Sequence, residues 1–401
     1  MKKRGLGLLR RVVIALACGV ALGFVFANCG AAGTVGVRVL KTFNALFAQV
    51  LKFIVPLLIL GLVTPAIAEV GRGAGRMLAF VMVVSYFSTV AAGFFAYFAA
   101  GALLPHYVVK GMLAGAEGAK EFAPYFALKI PPVCDVLTAL ALSFMTGIGI
   151  VVTDSAALRR GAAEFGAIVK LAITEVIIPG LPFYILTMMC EMTAAGKFAA
   201  TAGAMFKVIG TGWGLTIVYL AMLYVAAGAI ARRNPIACLW NMLPAYLTGL
   251  SIASSSAVIP VTLNCCRRNG VSEGVRNFTV PLCANVHMVG SSIKLTTSAL
   301  AITIIFGHAL SAAQFANFIF LMAIAAVAAP GVMGGVLMAS VGLLGSVFGF
   351  TPEETALVMT FYLALDGYGP AANVTGDGAI ALVADRFFRD HLEENKPMEA
   401  K

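Results

Sequence analysis

Two aspartates and an asparagine carry the first chemical signal in this sequence. Asp366, Asn373 and Asp377 lie inside an apolar run from about 353 to 385. A carboxylate there costs roughly 2.5 to 3.5 kcal/mol on insertion scales, so its presence points to function. Their spacing of 7 and 4 puts all three on one face of a continuous helix. Such a face suits a cationic ammonium group together with a metal ion or a proton. Upstream, the run 273–307 carries Asn285, His287, Ser291 and Lys294, with Gly290 weakening the helix among them. His287 reads either as a neutral residue bonded to backbone or as a proton or ion carrier. Lys294 needs an anion if it is buried: Asp366, Asp377 or a substrate carboxylate. Ser254, Ser255 and Ser256 offer hydroxyls and backbone N–H groups at a turn, a suitable cradle for a carboxylate at a helix N-terminus. No Gly-x-Ser-Gly stands beside a His base, and no carboxylate pair has a Gly-x-Gly-Asp setting, so an enzyme is not expected.

The elements that must position these groups are membrane spans. Of 401 residues, 60% are hydrophobic and 11% charged, with a mean hydropathy of +0.95. A water-soluble core and its polar shell do not reach that balance, so the surrounding solvent is a lipid bilayer. The net charge of +10 sits in small clusters at the ends of apolar segments rather than on one face, which argues against nucleic acid as a partner. The eight cysteines show no Cys-x-x-Cys pair and read as reduced, buried residues. The basic stretch Met1 to Arg11 leads into an apolar run read as an uncleaved first span.

Spans are expected at about 8–29, 38–69, 75–104, 134–153, 164–193 and 205–231. Arg10 and Arg11, Arg72 and Arg76, Arg159 and Arg160, and Arg232 and Arg233 fall after every second crossing, which places them and the N-terminus in the cytoplasm. Beyond Pro235 the pattern changes. A run interrupted at Ser254–Ser256 and Pro260 ends at Arg267 and Arg268, on the side it entered. A second, from Gln314 to Gly349, is broken at Ala329, Pro330 and Gly331. Two interrupted segments entering from opposite sides mark a transporter with inverted repeats and a midplane site, because a broken helix frees backbone groups that hydrocarbon does not tolerate. Two Pro-kinked ordinary helices are the plainer alternative.

These elements and three motifs resemble the dicarboxylate/amino acid:cation symporter family, the glutamate and neutral amino acid transporters. The motifs are Ser254-Ser-Ser-Ala-Val-Ile-Pro-Val-Thr262, Gly270-Val-Ser-Glu-Gly274 with Val280-Pro-Leu282, and Asn373-Val-Thr-Gly-Asp377, supported by Phe53-Ile-Val-Pro56. The resemblance spans about 8–385. It implies an all-α polytopic fold of eight transmembrane helices plus two re-entrant helical hairpins with inverted repeats. It also implies a homotrimer in a bacterial-type inner membrane, with both termini cytoplasmic. Residues 8–69 and 134–193 would form the scaffold, 75–104 and 205–385 the transport domain, and 386–401 a cytoplasmic tail. Substrate would cross by an elevator movement.

Carried over by position, Asp366 matches the aspartate that binds the substrate amino group, Asn373 the asparagine beside it, and Ser255 the hairpin serine near the substrate carboxylate. Ser291 replaces a substrate-contacting threonine, and Ala329 with Pro330 lies at the outer gate. Tyr86 and Thr89 match an ion site in the third span; Asp377, Asn373 and the Cys283 carbonyl match a sodium site, with His287 beside it. The departures are as informative. Gly369 and Ala253 stand where acidic-substrate members carry an arginine, and His287-Met-Val-Gly-Ser291 replaces Asn-Met-Asp-Gly-Thr. Val90 and Ala326 stand where further sodium-binding hydroxyls belong. The expectation is a secondary transporter of an amino acid or related carboxylate, coupled to Na+ and/or H+ with fewer sodium sites than the family norm. A coupling-deficient exchanger, channel or transport-dead sensor is the alternative.

Overall fold

The structure, a computed structural model, describes residues 8–73, 76–111, 122–309, 311–329, 334–364 and 366–393. Among them there are helices and no strands. In chain order these are α1 (Leu8–Asn28), α2 (Gly30–Gly73), α3 (Arg76–Leu103), α4 (Val136–Thr153) and α5 (Ala156–Ala172). A π turn at Ile173–Ile177 joins α5 to α6 (Ile178–Ala194), followed by α7 (Phe198–Ala231), α8 (Pro235–Asn241) and α9 (Leu243–Ile252). Then come α10 (Ser255–Arg268), α11 (Glu273–Val286), α12 (Val289–Phe306), α13 (Ala312–Ala328), α14 (Gly335–Phe348), α15 (Pro352–Ala364) and α16 (Tyr368–Glu393).

Five of these stretches are long and apolar enough to cross a bilayer by length and composition: Arg11–Asn28, Arg76–His106, Ala156–Ala194, Thr201–Ala231 and Glu273–Phe306. At 1.5 Å per residue α2 would run about 66 Å, twice the hydrocarbon thickness, so it cannot lie upright within one crossing. The expected first, third and fourth spans match α1, α3 and α4 within a few residues; the fifth begins earlier, at Ala156, and the sixth earlier, at Phe198.

Burial runs inside out. Large apolar side chains such as Phe24, Phe98, Val152 and Phe206 face outward, as a lipid-exposed surface allows. The ionisable groups go inward: every residue from 286 to 303 and from 366 to 385 is buried. Helices α1, α4, α5 and α6 pack around α2, whereas α16 is the hub of a second group, touching α3, α7, α9, α10, α11 and α12. Both interrupted segments fold back on themselves, α9 against α10 and α13 against α14. The α9–α10 tip turns at Ala253, a non-glycine residue at φ 54°, with Ser254 extended. A left-handed alanine is strained by about 1 kcal/mol or more.

Two expectations need correction. The run 353–385 is not one helix: α15 stops at Ala364 and α16 starts at Tyr368, with Asp366 in the turn between. Asp366 therefore does not share a continuous helical face with Asn373 and Asp377. The run 273–307 is likewise broken, at His287 and Met288 rather than at Gly290. Glycine lets the two breaks approach one another closely. A Cβ on Gly367 would lie 2.1 Å from the Leu250 carbonyl oxygen, and one on Gly290 would lie 2.4 Å from that of Gly369. Only bare backbone permits the two breaks to touch each other and the first hairpin.

Candidate functional site

The breaks build two adjoining polar centres. In the first, the Asp366 turn brings its carboxylate to Lys294 of α12, with Nζ 2.6 Å from Oδ1. Both side chains are fully buried, at 0% and 1% exposure. The second carboxylate oxygen accepts from the Gly334 N–H, at 3.1 Å, at the start of α14. Two tyrosines flank the ammonium: Nζ lies 3.9 Å from the Tyr362 ring centroid and 5.0 Å from that of Tyr368. The ammonium, the carboxylate and two π faces satisfy one another, with both charged side chains buried. Tyr362 was missed in the sequence, although its position four residues before Asp366 was a usable signal.

Against this pair lies a small cavity bounded by Ser255, Met288, Ser291, Gly334, Gly335, Val336, Tyr362, Asp366, Pro370 and Asn373. Its volume is about 10 Å³, room for about one water molecule. Helices α10 and α14 start at it, from Ser255 and Gly335, so two positive helix ends meet there. Of the three serines, only Ser255 lines it. Ser254 precedes α10, and Ser256 lies 3.5 Å from Asn285 at the end of α11, on an exposed side. Ala329 is buried at the end of α13 and does not line the cavity; Pro330 lies outside the described residues.

Asn373 ties the cavity to the second centre. Its Oδ1 accepts from the N–H groups of Gly290 at 2.8 Å and Ser291 at 3.3 Å, capping α12. Its Nδ2 donates to Ser291 Oγ at 3.0 Å and approaches the Met288 sulfur at 3.2 Å. The amide oxygen thus serves donors, an orientation opposite to the one a cation requires.

At the second centre, His287 is held in extended backbone between α11 and α12, its N–H bonded to the Cys283 carbonyl at 2.9 Å. Its Nδ1 lies 3.1 Å from Asp377 Oδ1 and its Nε2 lies 2.9 Å from Ser88 Oγ. Tyr219 donates to the Ser88 carbonyl at 2.8 Å, fixing that segment of α3. Gly376 makes room for the ring, since a Cβ there would stand 2.9 Å from His287 Cε1. The other Asp377 oxygen, Oδ2, is buried and has no hydrogen-bond partner among the described residues. Thr89 pins the break from outside: its hydroxyl accepts from the Met288 N–H at 3.1 Å and its carbonyl from Ser292 at 2.9 Å. Tyr86 is half-buried, its ring edge-on to Phe87. Ser88 was also missed, because a serine within an apolar helix is common and its partner is 199 residues away. No group of three or more His, Cys, Asp or Glu arranged to hold a metal ion occurs among the described residues.

The sodium:dicarboxylate symporter family profile matches residues 8–387. Excitatory amino acid transporter 3 of Mus musculus is 30% identical over 182 residues, which is 45% of this chain and 35% of the mouse protein. Excitatory amino acid transporter 3 of Oryctolagus cuniculus is 29% identical over 180 residues, 45% of this chain and 34% of its own length. Excitatory amino acid transporter 1 of Ambystoma tigrinum is 26% identical over 216 residues, 53% of this chain and 39% of its own length. The chain thus covers under half the length of these relatives. With interrupted helices meeting around buried charge and a profile match running nearly end to end, the chain belongs to the sodium:dicarboxylate symporter family.

Proposed function

We propose that this protein is a secondary active transporter that moves an amino acid or related carboxylate across a bacterial-type inner membrane. The substrate sits in the cavity between α10, α12, α14 and the Asp366 turn. The observation that carries this reading is the convergence of two helix N-termini on a small buried cavity lined by Asp366, whose carboxylate is paired with Lys294. The group centred on α16, with α13, α14 and α15, is the moving transport domain, and the group around α2 is the scaffold of a homotrimer. Helices of each group pack mainly on one another, with α13 and α14 also touching α2, which supports an elevator movement of one group against the other. The tail from 386 onward and the N-terminus face the cytoplasm.

Coupling rests on Asp377. With the Asn373 oxygen turned to N–H donors and the His287 ring on one carboxylate oxygen, H+ shared by His287 and Asp377 is the preferred coupling ion. The unpartnered Asp377 Oδ2 favours a second reading, one Na+ at that oxygen. Proteoliposomes separate the two. Uptake that collapses with the proton gradient, persists when K+ replaces Na+, and becomes insensitive to the proton gradient in Asp377→Asn supports H+. Uptake that follows the Na+ gradient and ignores a protonophore overturns it in favour of Na+.

A further inference from the structure

We propose that Lys294 is a built-in ammonium group that sets specificity, so that the cavity takes small carboxylates lacking an amino group and refuses the matching amino acids. The inference rests on reading that cavity as the substrate site. The carboxylate exposed to the cavity, Asp366, has no charge left to offer a substrate. Its Oδ1 holds the Lys294 ammonium at 2.6 Å and its Oδ2 holds the Gly334 N–H at 3.1 Å. The ammonium is itself caged by the faces of Tyr362 and Tyr368, so the pair is fixed from every side.

A substrate ammonium placed beside Asp366 would meet Lys294, a like charge in a buried site. The rest of the lining favours the opposite charge. Pair charges cancel, and what remains is the N-terminal ends of α10 and α14 with the hydroxyls of Ser255 and Ser291. That is a donor-rich, net positive surface, suited to one carboxylate. A hydroxyl or keto oxygen in place of an amino group brings no like charge to Lys294.

Matched pairs differing only at the amino group test this: lactate with alanine, malate with aspartate, and 2-oxoglutarate with glutamate. Thermal shift of the purified full chain reads binding, and counterflow in proteoliposomes reads movement. Wild type is expected to prefer the amine-free member of at least one pair by about a hundredfold. Lys294→Met frees Asp366, so the preference is expected to reverse, the amino acid restoring stability that the variant has lost. Lys294→Met/Asp366→Asn removes both charges and is expected to lose the discrimination, which keeps a test in hand if the single variant does not fold. Equal or tighter binding of the amino acid by wild type overturns the inference and leaves the transport reading standing. Binding of the amine-free acid without counterflow overturns transport and leaves the selectivity standing. Failure of every pair to bind folded wild type overturns both.

Discussion

Two buried polar contacts decide what this site can do. Lys294–Asp366 neutralises itself, while His287–Asp377 leaves one carboxylate oxygen unsatisfied. A buried ion pair is worth little over apolar residues of the same shape, but breaking one side is costly. Lys294→Met is therefore expected to destabilise the detergent-solubilised protein by about 3–5 kcal/mol, whereas Lys294→Met/Asp366→Asn is expected to stay near the wild-type melting temperature. Equal losses in both variants would show that Lys294 acts through packing rather than charge. The residues of this chemistry were legible in sequence because charge in an apolar run stands out. Pairings were less so. Lys294 had three possible anions in sequence, and only the turn at Asp366 selects among them. Ser88 and Tyr362 escaped because neither carries charge, and their roles come from partners brought close by folding.

Interrupted helices place these side chains, and glycine places the interruptions. Gly290 and Gly369 let the α11–α12 and α15–α16 breaks touch, and Gly367 admits the Leu250 carbonyl of the first hairpin. Gly290→Ala would put a methyl 2.4 Å from the Gly369 carbonyl oxygen, a contact with backbone that no rotamer change relieves. Overpacking of this kind costs about 1–3 kcal/mol. A lowered melting temperature with loss of the ligand-induced shift is expected, and an unchanged shift would mean the two breaks are not held by that contact. Hairpins were readable from Ser, Pro and Gly inside short apolar runs. The two breaks in the longer runs were not, because Gly367, Gly369 and Pro370 lie within a stretch otherwise apolar enough to span. Helical periodicity carries residues across such a gap as though it were absent, which is why Asp366 was placed on the face of Asn373 and Asp377.

At the scale of the whole molecule, the two helix groups meet along a surface where α2, Cys134 and Asp135 face α14 across a cavity of about 390 Å³. If the α16 group slides as a unit, a tie across that surface must stop it. Linking Cys134 to Ser346→Cys with a short bifunctional maleimide, with the other cysteines replaced, is expected to abolish uptake while leaving the ligand-induced thermal shift intact. Undiminished uptake after complete linkage would exclude movement at this face. The membrane class and the two interrupted, folded-back segments came through in the sequence because hydrocarbon thickness acts on long apolar segments. Which helices move together was implied only by resemblance, since that depends on packing between residues far apart in the chain. The most direct test of transport through the Lys294–Asp366 cavity is counterflow of labelled malate and lactate into preloaded proteoliposomes. Saturable exchange of at least one label by wild type in preference to its amino counterpart, with that preference lost in a folded Lys294→Met/Asp366→Asn variant, is expected. Flux that does not saturate, or a preference that survives in that variant, would contradict it.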